Sequence, residues 1–304
     1  MVCIARALRR SLHKAAVANE KLAAVRSGAI LRITGRSWRV KIPNSEQSTE
    51  SEIFMKIKMN AGLSAADLIQ MAGVRLEGLT GGAAGAANFK GQFEVKLAVD
   101  ISGSFEDEWR SGVVAQLVLR AGAAAHLLDS DGAVDIMAFN TKVTPWGSVK
   151  MATTDVAKWL KEKQQTIHWG GTAFAPILSA CAPNLVSGVA VKASGLFAGL
   201  FGSRQESAPV STRGSKGTVV FILTDGDSQD GSECSKLAES QKDAGIYYMF
   251  INVDQLARTA AQLSAKYDFI GHKHFPKLSQ MSDEEVFDSL LSGELMQWMQ
   301  KRLS

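Results

Sequence analysis

Cysteine is scarce in this chain and poorly spaced for chemistry. The 304 residues hold only Cys3, Cys181 and Cys234, an odd number with no CxxC pair, which offers neither a disulfide framework nor a zinc site. That usage fits a reducing, cytoplasmic setting. Long apolar runs are missing too. No window reaches the ~18 consecutive apolar residues that a spanning helix requires, and the closest approach, residues 185–201, is interrupted by Lys192 and by several glycines and serines. The opening segment MVCIARALRRSLHKAAVANEK is basic but has no uninterrupted apolar stretch ahead of a small-residue cleavage site, so it does not read as a secretory signal. A Walker loop, a GxSxG elbow and an HExxH helix are all absent, and the chain is read as a binding protein and not as an enzyme.

Charge and pattern divide what remains. The net charge of +4 hides an asymmetry: residues 1–60 carry 12 Lys or Arg against 4 Asp or Glu, a balance of +8, so the rest of the chain sums to −4. Residues 4–26 place Leu8, Leu12, Ala15, Ala18 and Leu22 at helical spacing. Beyond them, Leu31 and Ile33, then Trp38, Val40 and Ile42, alternate as in a hairpin with one wet face, and a further alternating run covers Ile53 to Met59. The Gly- and Ala-rich stretch 78–92 reads as a linker. Residues 1–90 are therefore expected to form a small basic α+β region, and residues 91–304 the main domain.

From Phe93 the pattern becomes apolar strand-like runs separated by helix-length segments: FEVKLAVD, AVDIMAFN, GTVVFILTDG and IYYMFINVD. Helical candidates lie at 107–128, 154–163, 173–182, 232–243 and 280–300. This alternation predicts an α/β fold with a largely parallel sheet covered on both faces, with ligands at the carboxyl ends of its strands. Residues 184–216 interrupt the rhythm and read as an insertion.

The chemistry gathers at three strand or loop ends. In VDISGSF an apolar strand stops at Asp100 and the next turn brings Ser102 and Ser104 towards one point. HWGGTAF offers Thr172 on a glycine loop, and FILTDGD offers Asp225 at the end of the most apolar strand. Oxygen donors of this kind suit a hard divalent cation, Mg²⁺ first and Mn²⁺ or Ca²⁺ as alternatives, and the absence of Cys and His from the first turn argues against zinc. An Asp or Ser after a strand is ordinarily a cap or turn residue; five such groups in the order DxSxS, Thr, TDG form a pattern.

That pattern resembles the von Willebrand factor A family and its metal-ion-dependent adhesion site, here Asp100, Ser102, Ser104, Thr172 and Asp225. The resemblance spans roughly residues 93–278. It implies a Rossmann-like, mostly parallel six-stranded sheet flanked by helices, with the two serines and Thr172 contacting a metal and the two aspartates acting directly or through water. Within the family, DISGSF, WGGTAFAPIL and VVFILTDGD are most similar to the bacterial tellurium-resistance, TerF-like branch, with copines more distant. The first 90 residues lack the acidic calcium-binding motifs of the TerD domain that often accompanies such modules. The resemblance further implies a protein partner that presents an Asp or Glu to the metal, with Trp169 and Asp227 on the rim of the site.

Two rival readings come from the residues themselves. The basic region 1–60, with Trp38 between Arg36 and Arg39, could hold nucleic acid or an anionic membrane, and Asp225 with Asp227 and Mg²⁺ could support hydrolysis. His272 and His274 form an HxH on an expected strand, a conceivable second metal site without a third ligand nearby in sequence.

Overall fold

A computed structural model describes residues 30–34, 37–41, 63–182 and 215–304. The helix expected over 4–26, the alternating run Ile53 to Met59 and nearly all of the 184–216 insertion lie outside the described residues. The chain divides into two compact units, residues 1–56 and 57–304. In the first, strands β1 (Ile30–Thr34) and β2 (Ser37–Lys41) pair antiparallel, with Thr34 opposite Ser37 and Ile30 opposite Lys41, as the alternating pattern predicts.

The second unit is built on a six-stranded sheet of order β5-β4-β3-β6-β7-β8. Its strands are β3 (Glu94–Asp100), β4 (Ala133–Phe139), β5 (Val143–Lys150), β6 (Thr218–Thr224), β7 (Ile246–Val253) and β8 (Ile270–Phe275). All neighbours run parallel except β4 and β5, so the sheet is mixed at one edge. The central strands read as continuous apolar runs because helices cover both their faces; every residue of β7 is buried, and in β3 and β6 only the first is not. Strand β5 was not expected. Its Pro145 and its Gly147, at φ 110°, spoil the strand pattern, yet an outer strand tolerates both, and the register slips beside them at Ile136/Met137.

The helices refine the sequence reading. The segment 107–128 is two helices, α3 (Glu106–Ser111) and α4 (Val113–Leu128), broken at Gly112, whose φ of 81° closes one helix and opens the next at an angle of 82°. Helices α5 (Val156–Gln164), α6 (Ala175–Cys181) and α7 (Gly231–Ser240) fall close to their expected places, whereas α8 (Arg258–Lys266) was not among the expected helices. The segment 280–300 splits into α9 (Asp283–Leu290) and α10 (Gly293–Leu303), each opened by a serine cap, Ser282 and Ser292. Among the described residues no single helix is long and apolar enough to cross a membrane.

The stretch 78–92 differs from its reading as a linker at the end of a separate N-terminal region. Helix α1 (Ala65–Leu79) buries Leu68, Ala72 and Leu76 against α4 and α9, and its Arg75 pairs with Asp288. After the left-handed glycines Gly81 and Gly82, the short helix α2 (Ala83–Ala87) tucks Ala86 and then Phe89 into the core. Small residues here permit close packing, which composition alone cannot tell from flexibility. The compact unit thus begins near residue 57 and not near residue 91.

Candidate functional site

Strand β3 lies at the centre of the sheet, beside β4 and β6, and its carboxyl end opens into the turn that carries the first three candidate residues. Asp100 is fully buried and Ser102 nearly so. Both oxygens of Asp100 accept hydrogen bonds: Oδ1 from the Ser102 backbone N–H at 2.7 Å and Oδ2 from the Thr224 hydroxyl, on neighbouring β6, at 2.6 Å. The serine hydroxyls lie 3.2 Å apart, and Ser104 Oγ donates to Asp225 Oδ1 at 3.1 Å across 121 residues of sequence. Trp109 of α3 donates its indole N–H to the Asp100 carbonyl at 3.0 Å, which fixes the start of α3 over the strand end.

The Thr172 loop joins this turn through its backbone. Gly103 N donates to the Gly170 carbonyl at 2.8 Å and Gly170 N to Ile101 at 3.3 Å, forming an isolated parallel bridge between Ser102 and Gly170. Gly170 has to be glycine: a Cβ there would stand 2.9 Å from the Asn140 side chain, whose amide donates to the His168 carbonyl. Two residues on, Thr172 is buried, and its carbonyl accepts from Gln229 N at 3.2 Å in the loop after Asp225. The structure therefore hydrogen-bonds Asp100, Ser102, Ser104 and Asp225 directly to one another and sets the Thr172 loop alongside through main-chain contacts.

The electrostatics are those of negative charge lacking a counterion. Burial pushes Asp100 up to about 7, against hydrogen bonds from Thr224 and Ser102 that favour its ionised form. Asp225 is also raised, chiefly by burial, with Ser104 opposing. No ion pair to a Lys or Arg involves either carboxylate among the described residues. The donors are hydroxyl and carboxylate oxygens, the set a hard cation prefers. Among the described residues there is no cluster of three or more His, Cys, Asp or Glu suited to a metal, so the fit rests on the hydroxyls.

The expected rim residues take particular roles. Trp169 is partly buried and packs on the core. Asp227 is exposed, yet its Oδ1 accepts from Thr259 N in the first turn of α8 and from Ser228 N, both at 2.9 Å. Burial alone would raise Asp227, but the bonds from Thr259 and Ser228 and the charge of Arg258 outweigh it and hold the group below its ordinary value. The HxH histidines part company: His272 Nε2 meets Asn252 Oδ1 of neighbouring β7 at 2.9 Å, and His274 Nε2 meets the carbonyl of Asp254, just past β7, at 3.0 Å.

Four residues at the site went unread in the sequence. Thr224, within the TDG motif, orients Asp100. Glu108, from the EDE run of α3, is pushed up to about 7 by burial, then by Asp254 and Asp225, and its Oε2 is buried without a hydrogen-bond partner. Asp254 follows β7 at φ 59°, the sole non-glycine residue with a positive φ among those described. Asp230 spans two loops and is taken up below.

Comparison with known proteins bears on the same segment. Residues 92–186, roughly a third of the chain, match the family model described as the vWA domain found in the TerF C terminus, a span that takes in Asp100, Ser102, Ser104 and Thr172. No curated protein matches the chain. Similar solved structures include manganese-loaded TRAP protein of Plasmodium vivax, at 14% identity and TM-score 0.43, covering 68% of this chain and 74% of that one. They also include an aerotolerance-related membrane protein of Bacteroides fragilis, at 18% identity and TM-score 0.34, covering 53% and 67%. The ArnB paralog VWA2 of Sulfolobus acidocaldarius shares 12% identity at TM-score 0.35; 62% of this chain is covered but only 42% of that protein. Within the six-stranded sheet unit, the segment 92–186 that carries Asp100, Ser102, Ser104 and Thr172 is thus similar to the vWA domain found in the TerF C terminus.

Proposed function

We propose that this domain captures a protein partner through a divalent cation, Mg²⁺ or Mn²⁺ or Ca²⁺, held by Ser102, Ser104 and Thr172 with Asp100 and Asp225. The observation that carries the reading is the hydrogen-bonded oxygen cluster at the end of β3, in which two buried carboxylates have no basic partner among the described residues. Bound there, a cation would supply a Lewis-acidic position for a carboxylate from outside. The chain's own residues do the rest. Thr224 and the Ser102 N–H hold Asp100 so that its charge faces the cluster. Trp109 anchors the Asp100 carbonyl, and the exposed Ser104 marks the side from which a partner's Asp or Glu would enter.

The activity proposed is binding and not turnover, in a cytoplasmic setting. The TerF-like match is the support for placing it in a bacterial or phage stress system of the tellurium-resistance kind. The basic residues 1–60 remain the basis of a nucleic-acid or membrane role, which would show as steeply salt-dependent binding.

The test is calorimetric titration of the cation-free full chain with Mg²⁺, Mn²⁺ and Ca²⁺, beside Asp225→Ala. Saturable 1:1 binding, lost in the variant, is the expected result, and chelator should then release any captured partner. A wild-type chain that binds none of the three overturns the proposal.

A further inference from the structure

We infer that Asp230 is the positioning residue of the cation site: it latches the Thr172 loop to the Asp225 loop and so sets cation affinity without touching the cation. The inference rests on the reading of the site proposed above.

The two loops are far apart in the chain and come together at this one side chain. Asp230 Oδ1 accepts from Phe174 N at 3.1 Å and Oδ2 from Ala175 N at 2.8 Å, the backbone donors directly after Thr172 and Ala173. From its own side, Oδ1 accepts from the Ser228 hydroxyl and from Cys234 Sγ at 3.3 Å. Its main-chain carbonyl meanwhile receives Glu233 N and Cys234 N at 2.9 and 3.0 Å, starting α7. One residue therefore caps α6 with its carboxylate and opens α7 with its backbone, so the start of α6 cannot shift relative to the loop after β6 without breaking several bonds. Gln229 N to the Thr172 carbonyl adds a parallel tie.

The energetics favour the ionised latch. Burial would raise Asp230, but the hydrogen bonds from Ser228, Ala175 and Phe174 prevail and hold it below the usual carboxylate range. Four donors meet this carboxylate and no basic side chain contacts it among the described residues. Groups that orient a metal ligand without contacting the metal change affinity by roughly 10–100-fold when removed. The Thr172 hydroxyl is the ligand most in need of such help, because it directly follows the glycine pair Gly170-Gly171, whose backbone has little rigidity of its own.

The experiment is a double-variant cycle on the full chain with Mn²⁺ alone as probe, free Mn²⁺ being read by electron paramagnetic resonance. Asp230→Asn should weaken Mn²⁺ roughly 10–100-fold in the wild-type background and change it little once Thr172→Ala is present. Ser282→Ala, which removes a cap at α9 remote from the site, serves as the structural control and should lower the melting temperature with Mn²⁺ affinity intact. Should Asp230→Asn fail to fold, Ser228→Ala carries the same cycle with a smaller effect. Unchanged affinity in Asp230→Asn while Thr172→Ala weakens binding overturns the latch and leaves the site standing. Additive losses in the double variant also overturn it, since Asp230 would then act by some route other than Thr172. No Mn²⁺ binding by the wild-type chain overturns both readings.

Discussion

Two regions of the sheet domain bury acidic side chains and treat them oppositely. Beneath α4, Asp283 at the start of α9 is wholly buried but faces Arg120, whose Nε lies 2.6 Å from its Oδ1. At the end of β3, Asp100 is just as buried and faces hydroxyls, a backbone N–H and a second carboxylate. In the first region the chain supplies its own cation, and the group serves the fold. In the second no Lys or Arg pairs with the group among the described residues, and the proposed cation would take that place. Neither burial nor a missing counterion alone marks a functional carboxylate: Asp129 is buried without an ion pair and closes a turn by accepting from the Val95, Asp131 and Gly132 N–H groups, whereas Asp100 joins a cluster of hydroxyls and a second carboxylate.

The comparison can be broken at its stable end. Asp283→Ala leaves the Arg120 guanidinium buried and alone, a loss of about 3–5 kcal/mol, and should lower the melting temperature sharply with or without cation. A change under about 1 kcal/mol would mean that water reaches Arg120 and that the two regions differ less than their burial suggests.

The other end responds to pH. In the folded, cation-free chain Asp100 sits at about 7 against an ordinary value of 3.8, so between these values the folded state holds a proton that the unfolded state has released. Its contribution to stability is complete below about pH 3.8 and is lost as pH rises through about 7. Cation-free chain should therefore become less stable over that window, and added Mg²⁺ should restore the loss at high pH. Asp100→Asn should bind no cation yet lose up to one proton's worth of this slope; a variant with the wild-type slope would show that Asp100 does not titrate as described.

The smallest effect sharpens the boundary of the site. Trp109→Phe keeps an aromatic ring beside Trp146, now 5.8 Å from it centroid to centroid, and deletes the donor to the Asp100 carbonyl. It should cost about 1 kcal/mol in thermal unfolding and a few-fold in Mg²⁺ affinity by calorimetry, with both losses absent if the indole N–H merely fills space.

Much of this was legible beforehand, for physical reasons that also explain the rest. Strands β3, β6 and β7 announce themselves because a strand covered on both faces must be apolar along its length, and β4 does so by its alternation of buried and more exposed residues around Asp135. The DxSxS turn, Thr172 and Asp225 announce themselves because oxygen-bearing residues at strand ends stand out against such runs. Strand β5 stayed hidden because an edge position tolerates Pro145 and Gly147. The stretch 78–92 passed for a linker because Ala86 is small enough to pack where composition suggests slack. Asp230 and Asp254 were out of reach of pattern reading: Asp230 meets Ala175 across 55 residues, and no local rhythm encodes that meeting.

The order in which the site's parts leave the ribosome follows from their places along the chain. Asp100, Ser102 and Ser104 are made with β3, but Asp225 arrives only with β6, which pairs beside β3. A chain stopped before residue 218 has every proposed ligand except Asp225 and leaves one side of β3 unpaired. Under the proposed reading cation capture would belong to the finished fold, and a bound ion would add RT ln(1 + [ion]/Kd) to the stability of that state. The metal would act as a seal on completed synthesis, so that only properly closed molecules compete for the partner.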